Sequence, residues 1–122
     1  FDVGLAVNRT SVEGQMEGGA YMGLGQGLME EVVLNNGVTQ SENLETYLLP
    51  TSLDTPDIAT HIIESGSGIG PFGAKGIGEP SLTPAATAVA LAVVDALGEP
   101  VRDLPITPER VLATFSTQAN AS

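Results

Sequence analysis

Glu79 is the side chain of this sequence best placed to move a proton. It closes the stretch Gly73-Ala74-Lys75-Gly76-Ile77-Gly78, is followed by Pro80, and stands just ahead of an apolar run introduced by Thr83-Pro84. Glycines before it let the backbone come close to a ligand. A carboxylate held between the positive end of a helix and a sheltered loop suits general-base work. The residues alone leave a second reading open, in which Glu79 caps that helix or pairs with Lys75, the one lysine of the chain.

Other patterns are weaker. Gly68-Ile69-Gly70-Pro71-Phe72-Gly73 has the spacing of a dinucleotide-binding turn and follows a predicted strand. Pro71 interrupts it, however, and the next helix starts well beyond the third glycine, so that reading is set aside. Lys75 is followed by Gly76 where a phosphate loop needs Ser or Thr. Glu13 with Glu17, and Glu30 with Glu31, read as solvated helix surface rather than a glycosidase pair. With one histidine, His61, and no cysteine, the chain cannot build a typical transition-metal site, zinc knuckle or iron–sulfur ligation from its own side chains.

These residues need elements to hold them. Val12, Met16, Ala20, Leu24, Leu28 and Val32 recur every four residues, which predicts an amphipathic helix from Val12 to Leu34, capped by Ser11 and stopped at Asn35-Asn36-Gly37. Six glycines lie within it, and each costs nearly 1 kcal/mol relative to alanine, so tertiary contact must compensate. Gly19, Gly23 and Gly27 form a flat strip on which another backbone or a planar ligand can lie close. Leu44–Leu49 and Ile58–Glu64 read as strands, with His61 on the latter. Ser65–Ser81 reads as an ordered, functional loop anchored by Ile69, Phe72 and Ile77. A buried helix through Leu97, ended by Gly98, and a short helix from Thr107-Pro108 to Phe115 complete the chain. The fold class is α+β, a glycine-rich helix and a buried helix packed on a short sheet.

At 122 residues, 42% of them hydrophobic, the chain has the size of one domain or a piece of one. Its formal net charge of −11 repels nucleic-acid backbones and anionic lipid. Neither a signal peptide nor a spanning helix is expected. Phe1–Leu5 reads as the tail of a strand, so the chain reads as part of a longer one. Alone it should self-associate or fold marginally, because faces meant for the rest of that protein lie open.

Two motifs in order, Gly14-Gln15-Met16-Glu17-Gly18-Gly19 and Gly73-Ala74-Lys75-Gly76-Ile77-Gly78-Glu79-Pro80, resemble the C-terminal segment of the molybdenum hydroxylase large subunit, the xanthine dehydrogenase and aldehyde oxidase family. The likeness runs from Asp2-Val3-Gly4 through Leu104-Pro105-Ile106-Thr107-Pro108-Glu109. It implies that residues 1–115 form the C-terminal part of a molybdopterin-binding domain, with 116–122 a frayed polar tail. Glu79 would be the catalytic base for hydroxylation of an aldehyde, purine or other N-heterocycle, with water supplying the oxygen. Gln15, Lys75 and Gly78 would be the cofactor-binding positions, and an amide such as Gln15 can serve oxo, thiolate or pterin groups without adding charge. The implied cofactor is molybdopterin with molybdenum, in its cytosine dinucleotide form in a bacterial source. Iron–sulfur clusters and FAD would sit on partner subunits or domains of a cytoplasmic oligomer acting on a small molecule. The family's upstream pterin loops and substrate-orienting groups lie outside this chain, so it should be inactive alone. The rival readings are a noncatalytic acidic assembly module or a degenerate homologue that keeps only the scaffold.

Overall fold

The structure, a computed structural model, describes residues 1–119. Helix α1 runs Arg9–Leu28, a hairpin follows with β1 at Leu34–Asn35 and β2 at Val38–Thr39, and α2 (Leu82–Leu97) and α3 (Pro108–Ala119) complete the order. The class is α+β, but its weight lies in the helices. The dominant contact is α1 on α2, and the hairpin strands pair only with each other.

Asn8, rather than Ser11, caps α1: its Oδ1 accepts from the Ser11 amide at 3.0 Å. The helix stops at Leu28, where the Met29 and Glu30 amides both return to the Gly25 carbonyl. Asn35-Asn36-Gly37 is therefore not a helix stop. Asn36 (φ 49°) and Gly37 (φ 81°) form the two-residue turn of the hairpin, which pairs Leu34 with Thr39 and Asn35 with Val38. Asn-Gly suits that turn because both central residues need positive φ.

The glycine strip of α1 does what its spacing predicts: α2 lies on it. A Cβ on Gly19 would fall 1.9 Å from Ser81 Oγ, and one on Gly23 2.2 Å from the Cβ of Ala85. One on Gly27 would stand 3.2 Å from a methyl of Val89. Close backbone approach thus offsets the poor helix propensity of these three positions. Gly14 has no such neighbour; nothing lies within 4 Å of a Cβ built there. Gly14→Ala should stabilise the chain by roughly 1 kcal/mol in a denaturant melt. Loss of stability would reveal a contact on that face.

Val3, Val12 and Met16 form the buried core, with Ala6, Ile62 and Ile77 packed against it. Residues 1–4 run beside 63–66 in a parallel bridge, Val3 N–H to Ile63 O at 2.9 Å and Ile63 N–H to Phe1 O at 2.7 Å. The predicted strand at 58–64 is thus an extended segment with one bridged residue. His61 is exposed, and its carbonyl accepts from the N-terminal amine. Leu44–Leu49 forms no strand. Asn43 draws it into a turn, its carbonyl accepting from the Thr46 and Tyr47 amides and its side chain from Glu45.

Helix α2 starts at Leu82, with Ser81 at its N-cap, and ends on Gly98 in the left-handed conformation (φ 74°). Although its sequence is apolar enough to be buried on most sides, none of its residues is fully buried here. Only the face on α1 is covered, and Leu91 is 63% exposed. Helix α3 starts at Thr107-Pro108 as expected and continues to Ala119, four residues past Phe115. The remainder of the predicted tail, 120–122, lies outside the described residues. Ile106 pins the approach to α3, buried to 4% exposure with its amide on Gly27 O at 2.7 Å. Arg110 bonds Glu31 at 2.7 Å and Pro105 O at 2.6 Å. Among the described residues no helix is long and apolar enough to cross a membrane.

Candidate functional site

The site is assembled by the N-terminal segment, the loop 65–80 and the first turns of α1 and α2. Gly4, in the left-handed region (φ 68°), passes so close to the loop that a Cβ on it would fall 2.1 Å from Gly73 O. Gly68 meets the same oxygen at the same distance, and Gly70 would meet Ala74 O at 2.6 Å. The apparent dinucleotide fingerprint is therefore filled by the loop's own backbone, not by a ligand. Pro71–Gly73 forms a single tight turn, with Phe72 at φ 58°.

Asp2 holds this arrangement together. Its carboxylate takes the Lys75 ammonium, the Gly4 amide at 3.0 Å and the Ser65 hydroxyl at 2.8 Å, while the Lys75 amide donates to Val3 O at 2.9 Å. The lone lysine is thus committed to Asp2 and not to Glu79. The Lys75 ammonium, then the Gly4 amide and Ser65 hydroxyl, hold the Asp2 carboxyl well below its ordinary 3.8. Because the folded value is depressed, this stabilisation is complete above 3.8 and is lost as pH falls from there toward the folded value. Melting temperatures of wild type and Asp2→Asn should therefore differ by a constant amount above 3.8 and converge as pH falls below it. Parallel pH profiles would show that the pair does not couple to folding.

Glu79 lies downstream of this clamp, exposed rather than sheltered. It borders an open groove of about 800 Å³ with Phe1, Gly76, Gly78, Pro80, Thr83 and Pro84. Its carbonyl accepts from the Leu82 amide at 3.0 Å, closing the turn into α2. Among the described residues its carboxylate makes no hydrogen bond or ion pair. Gln15, on the first turns of α1, brings its Oε1 to 3.8 Å from the position of a Cβ on Gly78. Gln15 and Glu79, 64 positions apart in sequence (79 − 15), are thus linked through Gly78, which the Gln15 amide approaches and Glu79 follows in the chain. Two other hollows, one beside Glu17, Tyr21 and Asp57 and one lined by Leu24, Ile58 and Ala88, do not reach Glu79. No group of His, Cys, Asp and Glu among the described residues is arranged to hold a metal ion.

Sequence reasoning did not identify Asp2, Ser81, Phe1 or Thr83 as parts of the site. Asp2 carried a usable signal as a carboxylate beside a core valine in a chain with one lysine. Ser81 carried none, because its partner is a main-chain carbonyl on another helix.

The geometry gathers an amide beside a glycine, a free carboxylate and a helix start on a scaffold of two closely packed helices. Residues 1–56 match the molybdopterin cofactor-binding domain family. The chain is 36% identical over 116 residues to the xanthine dehydrogenase molybdenum-binding subunit of Escherichia coli O157:H7, covering 93% of this chain and 15% of that protein. It is 39% identical over 115 residues to the nicotine 6-hydroxylase large subunit of Paenarthrobacter nicotinovorans, covering 91% and 14%. The crystal structure of quinoline 2-oxidoreductase from Pseudomonas putida 86 superposes with a TM-score of 0.83 at 38% identity, over 94% of this chain and 15% of that one. The chain belongs to the molybdenum hydroxylase family that includes the xanthine dehydrogenases, as a segment of the large, molybdopterin-binding subunit. It spans about 15% of the length of these relatives.

Proposed function

We propose that this chain supplies the general base and part of the cofactor-contacting surface of a molybdenum hydroxylase that acts on an aldehyde, a purine or another N-heterocycle, with water as the oxygen source. The observation that supports this reading is the uncommitted Glu79 carboxylate on an open groove, with the Gln15 amide standing close to Gly78, the residue before it.

The donor set fits the metal and pterin end of molybdopterin. Gly76 and Gly78 leave the backbone approachable: nothing lies within 4 Å of a Cβ at Gly76, and at Gly78 only Gln15 does. Gln15 offers an amide that both donates and accepts without adding charge. The ammonium of Lys75 is already neutralised by Asp2, so its proposed part is to hold the loop that carries Gly78 and Glu79. Phosphate groups of the cofactor would find their cations elsewhere in the subunit.

When bound, the cofactor supplies the two-electron oxidation of the substrate carbon. The chain's own residues would supply a proton acceptor and one part of the cofactor contact. Glu79 would take a proton released as oxygen from water is transferred to that carbon, Gln15 would hold the cofactor through its amide, and Gly78 would leave the backbone beside Gln15 approachable. The cofactor is proposed in its cytosine dinucleotide form, since the relatives named above are bacterial proteins. Iron–sulfur clusters and FAD are proposed on partner subunits or domains of an oligomeric, cytoplasmic complex. The uncovered apolar surface of α2 supports packing against the rest of such a subunit.

Metal and nucleotide analysis of the purified complex, with turnover in heavy-oxygen water, tests the reading. Molybdenum, a pterin nucleotide and heavy oxygen in the product are expected. A complex without molybdenum, or a product that takes its oxygen from dioxygen, would overturn it and favour an assembly role.

A further inference from the structure

Ser81 is the one buried polar side chain among the described residues, 5% exposed. It occupies the N-cap position of α2, where a serine ordinarily accepts from its own helix, yet its hydroxyl makes no such cap bond. It reaches to α1 and donates to the Gln15 carbonyl at 3.0 Å. That carbonyl lies within the helix and already faces the Gly19 amide one turn on, so the serine uses its second lone pair. Gly19 makes the approach possible, since any Cβ there would overlap the Ser81 hydroxyl and stand 2.9 Å from the Leu82 nitrogen.

The position of this lock matters because of its neighbours. Glu79 is two residues before Ser81, and its carbonyl bonds the Leu82 amide one residue after it, so residues 79–82 form one closed turn. The partner of Ser81 is the main chain of Gln15, whose side chain stands over Gly78. We infer that Ser81 is a positioning residue that fixes the distance between the Glu79 carboxylate and the Gln15 amide by pinning the turn of the one to the helix of the other. The inference rests on the proposed roles of Glu79 and Gln15.

The test compares Ser81→Ala with Val89→Ala in the assembled enzyme, with Glu79→Gln run alongside. Val89 packs on Gly27 in the same helix pair but far along it from Glu79, and reports a purely structural loss. In Ser81→Ala, amide exchange at Leu82 should quicken about fivefold, with or without cofactor bound. Turnover per bound molybdenum should fall roughly tenfold or more while KM holds, because reacting groups tolerate little misplacement. Val89→Ala should melt lower yet keep its turnover per molybdenum and its Leu82 exchange. If Ser81→Ala keeps wild-type turnover per molybdenum, whatever its melting temperature, the inference is wrong and Ser81 is structural only. If Glu79→Gln keeps turnover, the base assignment fails on its own, and Leu82 exchange still decides whether Ser81 fixes the turn: unchanged exchange overturns that link.

Discussion

Glu79→Gln should abolish most of the turnover of the assembled enzyme while leaving its molybdenum in place. Glutamine keeps the shape and the exposed setting of the side chain but cannot take a proton at neutral pH. Loss of a positioned general base costs about a hundred- to ten-thousandfold in rate. Among the described residues, the other groove-lining residues, Phe1, Gly76, Gly78, Pro80, Thr83 and Pro84, carry no titratable side chain that could replace it. The scaffold should not notice the change. Glu79 touches α2 through its carbonyl, and its carboxylate supports no ion pair among the described residues. Glu79→Asp should fall between the two, because the base survives but draws back by one methylene. Metal analysis with steady-state assays on one preparation checks all three forms.

Gly4→Ala should have the largest effect on stability. The position combines a left-handed backbone with a Cβ vector aimed at Gly73 O, 2.1 Å away, and at the Gly68 nitrogen, 3.2 Å away. A methyl group there meets main chain on two sides, and neither can swing aside as a flexible side chain would. Left-handed strain and overpacking together should cost roughly 3 kcal/mol. The loop would be pushed off the segment that carries Asp2, so the Lys75 pair should break and cofactor retention should fall with the melting temperature. Gly76→Ala is the matched control. It lies in the same loop, away from the left-handed region and with open space at its Cβ, and should stay within about 0.5 kcal/mol of wild type. Equal melting temperatures for the wild type and Gly4→Ala would show that the loop does not depend on this close approach.

What could be read from the sequence divides along physical lines. The four-residue spacing of Gly19, Gly23 and Gly27 marked a surface for close backbone approach, and α2 occupies it, because helix periodicity carries through from sequence to packing. Glycine content also marks Ser65–Ser81 as a loop, but of its expected anchors only Ile77 packs on the core while Ile69 and Phe72 are exposed, and the purpose of Gly68, Gly70 and Gly73 was not legible. A glycine that clears space for a ligand and one that clears space for its own loop look alike in sequence. Asn35-Asn36-Gly37 was misread for a related reason, since positive φ serves helix ends and hairpin turns equally. Leu44–Leu49 reads as a short strand but has no partner edge among the described residues, and local bonds to Asn43 prevailed. At the site, Gln15 and Glu79 were nameable from motif likeness. The approach of Gln15 to Gly78, and the Asp2 and Ser81 contacts around it, depend on tertiary geometry that no local pattern records.

The most direct test of the central claim is a single-turnover measurement: product formed per bound molybdenum, in one mixing experiment, for wild type and Glu79→Gln. Normalising to metal removes differences in loading or assembly and leaves only the chemical step. The proposed role predicts equal molybdenum in the two and a rate per metal at least about a hundredfold lower in the variant. Equal rates per metal would contradict it and take Glu79 out of the proton-transfer step.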